Sequence, residues 1–263
     1  MKDQQNEIID LLAKRFIARP DVHAEQWNNG GWSPKEVPFG RKLLQSHLDG
    51  KATLGHYMLS EEDECKLFAF DLDLDKPTKD RNSGMVIPIY YRLDDGTAIP
   101  INPREAWYGD NQEIVAGLTL ELRSLAEILA LRVRTMFDLD VAVAFSGNKG
   151  LHVYAFLGMP LPAELAIEMS NAVLGSFNEM FYATDGKNFY KHRSPAFEHV
   201  TVETFPKQAK RPNGGYGNLM KLPLGKDSRT GHKGFFVDLD APDDVLQSTD
   251  PIPTLKGMAV QGV

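Results

Sequence analysis

The run Phe68-Ala69-Phe70-Asp71-Leu72-Asp73-Leu74-Asp75 alternates apolar side chains with small or acidic ones. A side-chain period of two is that of a β-strand. Phe68, Phe70, Leu72 and Leu74 therefore share one face, and Ala69, Asp71, Asp73 and Asp75 share the other. The apolar face needs a layer to pack against. The acidic face carries three carboxylates in a row, and they repel one another. If they are partly buried, a hard divalent cation such as Mg²⁺ or Mn²⁺ relieves the repulsion. If the strand lies at a sheet edge, the face is simply wet. Spacing alone leaves both readings open.

The covering layers are legible on either side. Residues 112–137 place Ile114, Val115, Leu118, Leu122, Leu125, Ile128, Leu129 and Val133 at helical spacing, which predicts a long helix. A second helix is expected over 162–181. A first one is expected over 6–18, where Ile8, Ile9, Leu11, Leu12 and Phe16 form a stripe that Arg19-Pro20 ends. Strands are expected near 53–59, 66–74, 141–145, 151–157, 200–205, 219–222 and 235–239. Residues 21–56 read as largely irregular around Trp27 and Trp32. Residues 76–110, with Pro77, Pro88, Pro100, Pro103 and Asp94-Asp95-Gly96, read as a two-stranded excursion or lid. Strands before and after two long helices predict an α+β fold with mixed or antiparallel sheets flanked by helices. The expected division is a helical or αβ subdomain over 1–60 packed on a core over 61–240, with 76–110 inserted and a fraying tail over 241–263.

With 42% apolar and 25% charged residues in 263, the chain is neither disordered, collagen-like nor a coiled coil. Cys65 is the single cysteine, so neither an internal disulfide nor a cysteine-based zinc site is expected. No apolar run approaches the ~20 residues of a membrane span. Met1-Lys2-Asp3-Gln4-Gln5 lacks the apolar core of a signal peptide, so a cytoplasmic protein without membrane contact is expected. Charge is distributed unevenly. The chain carries −7 overall, yet residues 207–233 hold seven basic residues against Asp227 alone. A local anionic ligand on an acidic body and a solvated basic loop both fit that asymmetry.

Three further stretches can carry chemistry. In Ser146-Gly147-Asn148-Lys149-Gly150-Leu151-His152, two glycines in a turn let backbone N–H groups approach an anion, and Lys149 and Ser146 add a charge and a donor. A plain glycine-rich hairpin with a packed histidine fits as well. In Val200-Thr201-Val202-Glu203-Thr204, Glu203 points away from the face of Val200, Val202 and Thr204. Glu203 is either another metal ligand or an ordinary exposed strand residue. Gly214-Gly215-Tyr216-Gly217-Asn218 feeds a strand bearing Lys221, a combination suited to a polyphosphate or nucleic-acid backbone.

Taken in order, these motifs resemble the archaeo-eukaryotic primase superfamily, the primase-polymerases. Asp71 and Asp73 match the family's apolar-flanked D-x-D. Ser146, Gly147, Lys149, Gly150 and His152 match its s-G-x-K-G-x-H motif, and Val202-Glu203 matches its third, an apolar residue followed by an acid. Trp32-Ser33-Pro34, Leu54-Gly55-His56-Tyr57, Phe205-Pro206-Lys207-Gln208 and the run 215–224 look like the primase domains of TOTE-type conflict systems and related phage or mobile-element proteins. The likeness runs from about residue 10 to 240. Many of those relatives carry a zinc-binding cysteine cluster near the N-terminus; this chain does not, and no zinc is expected. The 76–110 stretch looks inserted, and Glu198 stands near Glu203 as an alternative third acid.

The resemblance implies an RRM-like primase-polymerase core and template-directed nucleotidyl transfer from NTP or dNTP on single-stranded DNA. It implies Mg²⁺ or Mn²⁺ held by Asp71, Asp73 and Glu203, with Asp75 a helper. It also implies a triphosphate held by Ser146, Gly147, Lys149, Gly150, His152 and Lys221. Lys207, Lys210, Arg211 and Lys226 would follow the template, with binding that weakens as salt rises, and Trp27 and Trp32 are candidates for stacking on bases. A helicase or other replication protein is the expected partner. A catalytically silent nucleic-acid-binding module and a metal-dependent nuclease fit the same basic segment.

Overall fold

The computed structural model describes residues 2–184 and 188–257. The decisive strand is β4 (Glu64–Leu74), and it occupies the middle of a seven-stranded sheet. On one side of it lie β13 (Val200–Phe205), β12 (Phe189–His192) and β11 (Phe181–Ala183). On the other lie β10 (Gly150–Pro162), β9 (Asp140–Phe145) and β15 (Phe235–Phe236). Every pairing in this sheet is antiparallel. The acidic strand is thus central, and the edge-strand alternative falls away.

The alternation does what its period requires. Phe68, Phe70, Leu72 and Leu74 are fully buried, beneath α4 (Gln112–Phe137) and α5 (Ala163–Gly175), which pack on β4, β9 and β10. Helix α4 begins where Asn111 accepts from the backbone N–H groups of Glu113 and Ile114, and it ends at Asp138 in the left-handed region. The opposite face of β4 is covered over part of its length by α1 (Lys2–Phe16), whose Phe16 ring meets Tyr154 of β10 edge-on at 4.9 Å.

Beside that face stands a second, four-stranded antiparallel sheet in the order β14 (Leu219–Lys221), β3 (Leu54–Tyr57), β1 (His23–Gln26), β2 (Trp32–Lys35). The helix α2 (Arg41–Leu48) connects β2 to β3. The region expected to be irregular therefore contributes two unexpected strands and a helix, ahead of β3, which falls within the strand expected near 53–59. Its strands are four residues each, too short to show a period, and the sheet is completed by β14 from far downstream.

The inserted stretch forms two hairpins rather than one, β5 (Thr78–Lys79) with β6 (Val86–Ile87) and β7 (Ile89–Arg92) with β8 (Ala98–Ile101), followed by the single turn α3 (Pro103–Ala106). The second long helix stops at Gly175, short of the expected 181, and Asn178 and Glu179 then take positive φ before Phe181 enters β11. Near the C-terminus, α6 (Pro251–Lys256) forms where a fraying tail was expected, capped by Asp250; the rest of that tail, 258–263, lies outside the described residues. Among the described residues no helix is long and apolar enough to cross a membrane.

Candidate active site

A cavity of about 260 Å³ opens between the two sheets, beyond the end of the α1 cover. β4 supplies Asp71 and Asp73, the β9–β10 turn supplies Ser146, Asn148 and Lys149, β10 supplies His152, and β13 supplies Glu203 and Phe205. The small sheet closes it with Gln26, Trp32, Leu219, Met220 and Lys221, and the following loop adds Asp227 and Arg229.

Strand register explains why residues so distant in sequence meet. His152 on one neighbour and Glu203 on the other both stand directly opposite Asp71. Directly opposite residues project to the same face, so imidazole, aspartate and glutamate form a row across three adjacent strands. Asp73, two residues on, is opposite Gly150 and Thr201. The side chains of Asp71, Asp73 and Glu203 are 21%, 24% and 15% exposed, so the carboxylates are partly buried, not wet.

Each carboxylate has its own basic neighbour. His152 Nε2 lies 3.4 Å from Asp71 Oδ1, Lys149 is paired with Asp73, and Lys207 with Glu203. The compensation is uneven. Burial and the neighbouring Asp71 charge push the Asp73 carboxyl up to about 6, and Lys149 reverses only part of this. Burial also raises Glu203 despite Lys207. For Asp71, burial is outweighed by His152, and its carboxyl is held below the usual range. Asp75 belongs elsewhere: it pairs with Lys191 and accepts from Thr201 Oγ1 at 2.6 Å.

In the turn, Gly147 has φ +81°, a left-handed conformation that favours glycine. Gly150 serves a different purpose: a Cβ there would stand 1.8 Å from the Leu72 carbonyl oxygen. Of the two glycines, one shapes the turn and the other lets β10 approach β4. The turn is braced from outside by Thr230 Oγ1, which donates to the Gly147 carbonyl at 2.5 Å, and by Tyr108, which donates to that of Asn148. Lys221 Nζ donates to the Ser146 carbonyl at 2.7 Å and pairs with buried Asp227 at 2.9 Å. Its ammonium is thereby committed to the protein, while the Arg229 guanidinium, also on Asp227 at 3.3 Å, remains partly exposed at the cavity.

Among the expected template contacts, only Lys207 adjoins the cavity, through Glu203. Arg211 pairs with Asp63 at 3.3 Å and donates to the Glu61 carbonyl. Lys210 and Lys226 are exposed, and none of these three lines the cavity. Trp32 lines it, whereas Trp27 is an exposed surface residue. Glu198 is exposed and outside the cavity, so the geometry favours Glu203 over it. Asp227, Arg229, Gln26 and Asn148 were not singled out from the sequence. Arg229 carried the one available signal, as part of the basic segment.

As they stand, no three His, Cys, Asp or Glu side chains among the described residues are arranged to hold a metal ion. The donor set nevertheless fits a hard cation in kind. Asp71 Oδ1 and Glu203 Oε1 are buried without a well-formed hydrogen bond, the first beside His152 Nε2 and the second beside the Lys207 ammonium. Carboxylate oxygens are the kind of donor that Mg²⁺ and Mn²⁺ take as ligands.

Residues 35–258 match the family model described as the archaeo-eukaryotic primase domain of the TOTE conflict system. Among solved structures, the polymerase domain of Ligase D from Mycobacterium tuberculosis, in complex with DNA, is 12% identical with a TM-score of 0.49; the match covers 97% of this chain and 85% of that one. No curated protein matches the chain.

Proposed function

The chain belongs to the archaeo-eukaryotic primase domain family of TOTE conflict systems, and from that premise we propose that it is a template-directed nucleotidyltransferase. A 3′-hydroxyl, or the hydroxyl of a first nucleotide, attacks the α-phosphate of an NTP or dNTP on a single-stranded DNA template, and pyrophosphate leaves. One observation carries the reading: a row of His152, Asp71 and Glu203 across three strands faces a turn bearing Ser146 and Lys149 in the same cavity.

Asp71, Asp73 and Glu203 would hold Mg²⁺ or Mn²⁺, which supplies Lewis acidity at the phosphates and at the attacking hydroxyl when bound. The remaining work falls to the chain itself. Phosphoryl transfer is mostly positioning and charge neutralisation. Ser146 and the turn amides donate to phosphate oxygens, and His152 Nε2 donates beside them. Lys149 and Lys207 hold the acids in check until the acids' charge is met otherwise, and their ammoniums are then free for the triphosphate. Arg229 adds a guanidinium at the outer rim, and Lys221 holds the turn by its Ser146 carbonyl. Trp32, Leu219 and Met220 form the apolar wall for sugar and base. Lys210, Arg211 and Lys226 carry charge toward the template outside the cavity.

The test is a labelled primer annealed to a single-stranded template, incubated with Mg²⁺ or Mn²⁺ and with NTPs or dNTPs, alongside primer-free template. Lengthening that needs nucleotide and disappears in the double variant Asp71→Ala, Asp73→Ala is the expected result. Shortening without nucleotide marks a nuclease and overturns the reading, as does no incorporation under any of these conditions.

A further inference from the structure

His152 has two ring nitrogens, and which one bears the hydrogen decides what it offers the cavity. Nε2 faces Asp71 Oδ1 at 3.4 Å. Nδ1 lies 2.7 Å from the hydroxyl oxygen of Tyr154, two residues further on the same face of β10. Tyr154 is fully buried. Its ring fits because both residues opposite it are alanines, Ala69 on β4 and Ala142 on β9. Phe16 closes the trough edge-on at 4.9 Å, and Phe156 stacks alongside at 6.4 Å.

A side chain packed on every side cannot turn its hydroxyl elsewhere. Among the described residues that hydroxyl has one hydrogen-bond partner, His152 Nδ1. Burial and the Asp71 charge keep the phenol protonated. If Nδ1 carried the ring hydrogen of a neutral imidazole, the tyrosine O–H would have no acceptor in the core, and an unmade buried hydrogen bond is costly. The arrangement that satisfies every group has the Tyr154 hydroxyl donating to Nδ1 and the imidazole hydrogen on Nε2.

We propose that Tyr154 is the positioning residue of the site: by donating to His152 Nδ1 it fixes the ring plane and places the neutral ring's hydrogen on Nε2, so that the histidine meets an anion in the cavity as a donor. The consequence for nucleotide binding rests on the nucleotidyl-transfer reading above. The tautomer does not, and the two can fail separately.

The experiment records ¹⁵N spectra of histidine-labelled protein over a pH series, reads the tautomer where the spectrum is that of a neutral ring, and assigns His152 by its loss in His152→Ala. In the wild type, Nε2 is expected to carry the hydrogen and Nδ1 to accept. In Tyr154→Phe, which keeps the ring and removes only the hydroxyl, the Nδ1 resonance is expected to move to that of a nitrogen without a donor. A hydrogen on Nδ1 in the wild type, or an unmoved Nδ1 resonance in Tyr154→Phe, overturns the proposal whatever the activity. With activity in hand, Tyr154→Phe should raise the nucleotide KM about three- to tenfold with kcat little changed, the worth of one hydrogen bond. Combined with His152→Ala it should add nothing, since the hydroxyl acts through that ring. Losses that multiply in the double variant would instead mark Tyr154 as a packing residue and overturn the proposal.

Discussion

Gly150→Ala adds a single methyl group at the seam between β10 and β4. Gly150 pairs directly with Asp73, and its φ is not in the left-handed region, so backbone strain is not the issue. The obstacle is the Leu72 carbonyl oxygen, 1.8 Å from where the Cβ would stand, with Asp73 Oδ1 at 2.9 Å. The oxygen is backbone in a central strand and cannot swing aside as a side chain could. Reaching even the shortest tolerated contact, 3.0 Å, requires the strands to part by about 1.2 Å. That movement would separate Lys149 and His152 from the β4 carboxylates. A displacement of ~1 Å in a reacting geometry costs about 10²-fold in rate, and overpacking of this kind costs about 1–3 kcal/mol in stability. The assay is primer extension together with thermal melting, with Gly158→Ala as control, because a Cβ at that position of the same strand meets nothing within 4 Å. Gly150→Ala is expected to lose about two orders of magnitude in incorporation and to melt a few degrees lower, while Gly158→Ala matches the wild type. A Gly150→Ala protein with wild-type incorporation would show that the approach of the turn to Asp73 is not what the chemistry needs.

Other outcomes test separate parts of the account. Asp75 is tied to Lys191 and Thr201, so Asp75→Asn should keep incorporation within a few-fold of wild type while lowering the melting temperature; a loss as deep as that of Asp71→Ala would place Asp75 among the functional acids. His47, which accepts from the Leu54 N–H and donates to the Pro223 carbonyl, is pushed down to about 4 by burial. Below the unfolded value near 6.5, the unfolded chain takes up a proton that the folded chain refuses, so stability is lost as pH falls from there toward about 4. At pH 5 this amounts to about 2 kcal/mol. Asp73, raised to about 6, pulls in the opposite direction, so the measurement is a difference. The change in urea midpoint between pH 7 and pH 5 should be less favourable in wild type than in His47→Gln, and equal changes would refute it.

Much of the fold was legible because certain stretches carry a period long enough to be read. Eight alternating positions around Asp71 announce a strand, and 26 helical residues announce α4. Of the small sheet, β3 and β14 are legible as strands, but β1 and β2 are hidden because they are four residues each and β1 contains His23, Glu25 and Gln26. Its fourth strand, β14, comes from a segment more than 150 residues away in sequence, and no local pattern encodes that pairing. The second helix was read too long because Phe177 and Phe181 continue the apolar spacing past the point where the backbone breaks. Within the site, Asp71, Asp73, Glu203 and the Ser146–His152 turn could be picked out by residue type and order. Asp227 could not, since it matters only through its contacts with Lys221 and Arg229, which a loop creates. The pairing of Lys149 and Lys207 with the acids was likewise invisible, because residue type marks a lysine as a cation but not which carboxylate it will rest on.

The central claim is that carboxylates from two strands and a phosphate-gripping turn serve one reaction centre. Anomalous diffraction at the manganese edge, from crystals grown with Mn²⁺ and a non-reactive nucleoside triphosphate, tests it most directly. Manganese is expected to be bounded by Asp71, Asp73 and Glu203, with the triphosphate along Ser146, Lys149 and His152 and both lysines turned from the acids to its oxygens. Nucleotide bound elsewhere, or bound there while Lys149 and Lys207 still rest on their carboxylates and manganese lies outside the cavity, would contradict it.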